Sequence, residues 1–130
     1  MAKLSVKKGS TSRIEYIFVG DSTSATGTGL TGLTYQSSGL LSHYIRPAGS
    51  ATTITLATQT VTGSYSSGGF VEVDQTRMPG LYRFDIPNAV FASGSSSAIL
   101  QISNISTGDK AIIIYKFQYI RYSFFHISIC

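Results

Sequence analysis

Six carboxylates and two histidines are the groups of these 130 residues that most often do acid–base chemistry near neutral pH, and their spacing joins none of them into a catalytic set. Nucleophilic hydrolysis needs a serine presented in a pattern such as G-x-S-x-G, with a histidine and an acid able to activate it. The many serines stand in no such motif. His43 lies in a strand-like alternation and reads as a core or interface residue, whereas His126 lies in an apolar stretch. Gly27-Thr28-Gly29-Leu30-Thr31-Gly32 has the G-x-G-x-x-G spacing of a dinucleotide site, which needs a helix opening on the glycines and an acid about twenty positions further on. Leu33-Thr34-Tyr35-Gln36 has no helical character and no acid stands near position 50, so the run reads as a Gly/Thr loop.

Metal chemistry is equally thin. Cys130 is the single cysteine, which rules out an internal disulfide and a cysteine knuckle. His126 and Cys130 have the spacing of a helical ligand pair, but their surroundings are β-like. Asp21, Glu72, Asp74 and Asp85 do not form the dense acidic loop that hard cations need, and they read as solvated acids on an outer face. No enzyme activity, cofactor or metal is expected. Tyr35, Tyr44 and Tyr65 offer another chemistry, since exposed aromatic faces stack on the apolar faces of sugars. Tyr82 reads as core, and Tyr65, in a Gly/Ser loop, fits sugar binding and interface packing equally well.

Composition sharpens these exclusions. Charged residues are 12% of the chain and apolar ones 42%, so much of the surface must be built from hydroxyls, which lose little when another protein covers them. The net charge of +4 is spread out: Lys3, Lys7, Lys8 and Arg13 lie near the start and the rest stand singly. Nucleic-acid binders carry a denser basic stripe, so that partner is not expected. The lysines of residues 1–10 precede no apolar stretch, and no apolar run approaches the ~20 residues of a membrane span. Folding inside a cell and solubility are the expectation.

The elements that position these residues are strands. Phe70 to Pro87 reads as a hairpin turning at Met78-Pro79-Gly80, where Pro79 and Gly80 suit a type II turn. Its second strand places Tyr82, Phe84 and Ile86 on one face and Leu81, Arg83 and Asp85 on the other. Residues 1–12 form a basic arm or edge strand. Arg13 to Val19 is a strand with Ile14, Tyr16 and Phe18 on one face, and Gly20 to Gly32 is a loop. Leu40 to Arg46 is a strand on which Leu41, His43 and Ile45 alternate with Ser42 and Tyr44. Thr52 to Ala57 turns Ile54 and Leu56 inward. Pro87 to Gly94 suggests a short helical turn near 88–92 that plugs one end of the fold. Ser97 to Ser103 and Ala111 to Ile120 form a hairpin around Thr107-Gly108-Asp109-Lys110.

Seven to nine short antiparallel strands at regular spacing predict an all-β protein, a single β-sandwich of immunoglobulin-like or jelly-roll topology over residues 13–120. The segment 121–130 is unusual in being aromatic and aliphatic, and Tyr122, Phe124, Phe125, Ile127 and Ile129 are candidates for a subunit contact.

The runs Gly68 to Asp74, Met78 to Pro87 and Ala89 to Gly94, with the Gly-Leu-Thr-Gly-Leu-Thr run before Tyr35, resemble small immunoglobulin-like or baseplate-type β-sandwich modules of tailed-bacteriophage virions. The resemblance covers about residues 13–117. It implies a structural protein made in the host cytoplasm and placed in the virion as a head-decoration, tail, baseplate or fibre component. Its partners would be copies of itself and neighbouring virion proteins. It transfers no catalytic residue. The alternative is a carbohydrate-binding or adhesin module that recognises a host-surface glycan.

Overall fold

A computed structural model describes residues 2–104 and 108–118. Eight strands follow in order: β1 (Ala2–Lys7), β2 (Ile14–Phe18), β3 (Leu40–Ile45), β4 (Thr52–Thr53), β5 (Phe70–Asp74), β6 (Met78–Asp85), β7 (Ser97–Asn104) and β8 (Lys110–Gln118). They form a β-sandwich. One sheet has the order β1-β8-β7-β3-β4 and the other β2-β6-β5. With the eight strands read as A′, B, C, C′, D, E, F and G, these are the A′GFCC′ and BED sheets of an immunoglobulin-like arrangement, which decides against a jelly roll. Strand pairing is antiparallel except that β1 runs parallel to β8, from Ala2 opposite Ile113 to Lys7 opposite Gln118.

The core follows from alternation. Tyr82, Phe84 and Ile86 are fully buried and meet Ile17 and Val19 of the β2 region, Phe70, Val90 and Phe91, and, from the facing sheet, Ala98, Leu100, Ile102, Ile113 and Tyr115. Phe70 stacks on Tyr82 with ring centroids 5.0 Å apart, and Phe91 meets Tyr115 edge-on at 4.8 Å. Phe91 belongs to a 3-10 turn over Asn88–Phe91, set by Pro87 before it, which closes one end of the sandwich.

Two expectations are corrected, and the open phase of β3 is resolved. The β5–β6 turn lies at Gln75-Thr76-Arg77, with Asp74 paired to Met78, so Pro79 and Gly80 belong to β6. The Asp74 carboxylate fixes that turn by accepting the backbone N–H of Thr76 and Arg77 at 3.0 and 2.9 Å. Gly80 has φ +89° and serves a close approach, since a Cβ on it would sit 2.5 Å from Gly29 Cα, and one on Gly29 would sit 2.2 Å from Pro79 O. On β3 the inward residues are Leu40, Ser42 and Tyr44, while Leu41 and Ile45 face outward with His43. Regular pairing of the Thr52 stretch ends at Thr53. Ile54 and Leu56 nonetheless pack into or against the core, and Ala57 makes a single bridge to Gly69.

Candidate functional site

The outer face of the β2-β6-β5 sheet holds the largest departure from expectation. Arg83 and Asp85, two apart on β6 and so on one face, are 2% and 0% exposed. Asp85 is therefore no solvated acid. The Arg83 Nε and Nη2 donate to the two oxygens of Asp85 at 2.8 and 3.1 Å, and Nη1 donates to the carbonyls of Thr60 and Val61 at 3.1 and 2.9 Å. Asp85 also accepts from the Ser66 amide at 2.8 Å and from Gln59 Nε2 at 2.6 Å.

Residues 59–66 of loop 54–69 thus lie over β6 and are stapled to it through this ion pair. Gly68 fixes the approach, because it has φ +82° and a Cβ there would meet Thr55 O at 2.2 Å. Burial on its own would push the Asp85 carboxyl up, but the hydrogen bonds from Arg83, the Ser66 amide and Gln59, with the charge of Arg83, outweigh it and hold it below its ordinary value. Each donor is committed to the fold, and among the described residues no serine hydroxyl or histidine joins the pair. The sequence signal was present as Arg-x-Asp on a strand, and Gln59 had none.

Of the three candidate sugar-binding tyrosines, Tyr35 is exposed and borders a cavity of about 410 Å³ lined also by Thr34, Gln59, Phe70, Glu72 and Gln75. Glu72 is not the solvated outer-face acid expected: it stands opposite the buried Tyr82, accepts the Gly32 amide at 3.1 Å through one oxygen, and has its other oxygen buried with no hydrogen-bond partner among the described residues. Tyr65 and Tyr44 do not line this cavity. Tyr65 is half-buried, its hydroxyl donating to Ile86 O at 2.7 Å, and Tyr44 packs against the core.

A second, larger cavity of about 620 Å³ opens at one side of the sandwich, between β2 of one sheet and β1 with β8 of the other, lined by Leu4, Ile17, Phe18, Leu81, Ala111 and Ile113 among others. Its wall includes exposed apolar side chains: Tyr16 and Phe18 are 56% and 53% exposed on the outer face of β2, with Ile14 beside them. The other outer face is also apolar. Ile45 of β3, Ile99 of β7 and Ile114 of β8 stand in one cross-strand row, with Leu41 exposed nearby on β3.

Asp21, Glu72, Asp74 and Asp85 are held separately, and no group of three His, Cys, Asp or Glu able to hold a metal exists among the described residues. The Gly27–Gly32 run carries no helix, and its Gly29 is occupied by the contact with Pro79 and Gly80. No described helix is long and apolar enough to cross a membrane. The proposed contact residues Tyr122, Phe124, Phe125, Ile127 and Ile129 lie outside the described residues, as do His126 and Cys130. No protein-family model, curated protein or solved structure matches the chain.

Proposed function

We propose that this chain is a non-enzymatic structural module that works by assembling with copies of itself and with neighbouring proteins, as a component of a tailed-bacteriophage virion. The observation that carries the assembly reading is the placement of large apolar side chains on the outer faces of both sheets: Ile14, Tyr16 and Phe18 on one, Leu41, Ile45 and Ile99 on the other. A surface of this kind, poor in charge, loses little on being covered and gains from the apolar area it removes from water. The virion setting rests on the sequence resemblance. Sedimentation of the purified chain over a concentration series is expected to show assembly. Deleting residues 121–130 is expected to abolish it while the circular dichroism of the sandwich persists. A stable monomer at every concentration would refute the reading.

A second reading, glycan recognition, is favoured by the Tyr35 cavity, which combines an aromatic face, the carboxylate of Glu72 and the amide of Gln75. On a glycan array it predicts saturable binding that Tyr35→Ala removes. Silence across the array counts against it.

A further inference from the structure

β2 is an edge strand whose outward half of the backbone has no neighbour among the described residues. The bonds flanking its ladder run from Val19 N to Gly80 O and from Ile86 N to Arg13 O. Antiparallel pairing alternates, so Arg13, Glu15 and Ile17 turn their backbone groups toward β6, as does the N–H of Val19, whose carbonyl accepts the Leu30 amide, and Ile14, Tyr16 and Phe18 turn theirs away. Across the 620 Å³ groove, β1 covers β8 only from Ile113 onward, so the Lys110–Ile112 side of β8 is open as well among the described residues. In an immunoglobulin-like sandwich this is the place beside strand B where one more strand fits. An unpaired edge next to an apolar groove binds an extended segment, whose backbone completes the ladder while alternate side chains fill the groove.

We infer that the occupant is residues 122–129 of a second copy of this chain, which deepens the assembly reading and rests on it. Phe125-His126-Ile127-Ser128-Ile129 alternates apolar and polar side chains with the period of a half-buried strand, so Phe125, Ile127 and Ile129 share the face that enters the groove. Residues 119–130 reach roughly 40 Å when extended. The five residues of β2 need roughly 17 Å.

Topology selects the neighbour's segment over the chain's own. β8 starts at the groove and runs away from it to Gln118, which pairs with Lys7. The connection 8–13 leaves β1 at that far end and leads to β2, with Gly9 N bonded to Phe91 O. A segment folding back in the same copy would cross this connection and then pair parallel to β2, the weaker arrangement. A neighbour's segment enters antiparallel without crossing the 8–13 connection. Donor and acceptor then lie at opposite ends of the sandwich, and the contact is head-to-tail.

The test uses the full chain in three forms, sized by light scattering. Tyr16→Pro removes one outward N–H without touching the β6 ladder, and Phe18→Lys replaces an exposed groove wall and keeps the whole backbone intact. On the donor side, Phe125→Asp/Ile127→Asp spoils the inserted face. Each form is expected to weaken association at least about tenfold, while an equimolar mixture of Phe18→Lys with the donor variant forms a one-to-one pair, since each supplies the half the other lacks. Amide exchange at Ile14, Tyr16 and Phe18 is expected to slow only in the assembled wild type. If the wild type is monomeric, the assembly reading itself fails. If the wild type assembles and Phe18→Lys assembles equally well, or the mixture forms no pair, the β2 groove is not the acceptor and only this inference falls.

Discussion

Asp85 shows how one carboxylate couples a loop to a sheet and stability to pH. Its hydrogen bonds and the charge of Arg83 overcome burial and hold its titration below the ordinary value. The unfolded chain then takes up the proton at a higher pH than the fold does, near the ordinary value of about 3.9. Its stabilising contribution is therefore complete above that value and is lost as pH falls through the lower, folded one. Asp85→Asn leaves the Arg83 guanidinium buried without its counter-ion, at an expected cost of about 3 to 5 kcal/mol near neutral pH. Urea unfolding of the variant and wild type is expected to show a gap that narrows between about pH 7 and pH 3, because acid removes from the wild type part of what the substitution removes from the variant. A gap of constant size would mean that Asp85 is not an acid-labile support of this loop.

At the scale of elements, β6 is positioned from one side by the 54–69 loop and from the other by the glycine contact at its start. Gly29→Ala would place a methyl group against the Pro79 carbonyl and the Gly80 Cα, both backbone, so the strand or the loop must move. The expected loss is about 2 to 3 kcal/mol, typical of overpacking, or a fall in melting temperature on the order of 10 °C for a domain of this size. Gly27→Ala serves as a comparison, since Gly27 has open space around it and only its φ of +80° resists substitution. A loss at Gly29 no larger than that at Gly27 would show that the strand and loop give way to the methyl group and that the close approach is not what makes Gly29 necessary.

The same elements show what the sequence makes legible. Tyr82, Phe84 and Ile86 alternate with polar partners on one side, so their inward face was readable, and the buried pair Val90 and Phe91 was readable from Pro87 and Gly94 around it. β3 was ambiguous because large apolar residues occupy both of its faces, and the phase was decided by packing of Leu40 and Tyr44 across the sheet interface. Alternation correctly separated Arg83 and Asp85 from the core face, yet no local signal tells that a distant loop covers that outer face. The hairpin turn was misplaced because Pro79-Gly80 is the stronger generic turn signal, while the actual turn depends on the Asp74 side chain accepting two amides. On the candidate site, the strand character of β2 was readable. That its edge borders an open groove depends on the strand order of both sheets, which local pattern does not encode.

For the whole molecule, the decisive quantity is how little charge it carries relative to its exposed apolar surface. With 12% of residues charged and a net charge of +4 spread along the chain, few ion pairs are available to hold copies together. The contacts argued above are backbone ladders and apolar faces, and added salt does not screen these as it does exposed charges. Raising sodium chloride from about 0.1 M to about 1 M shortens the screening length to roughly 3 Å and is expected to leave the assembled fraction unchanged or larger in a light-scattering titration. Dissociation over that range would show that the scattered lysines and arginines carry the association. Binding of a basic chain to nucleic acid behaves in the opposite way, since each neutralised phosphate adds to the salt dependence. A labelled oligonucleotide followed through the same titration therefore separates the two: assembly that persists in salt while oligonucleotide binding vanishes assigns the apolar faces and the β2 edge to protein partners and leaves the positive charge as a solvated surface.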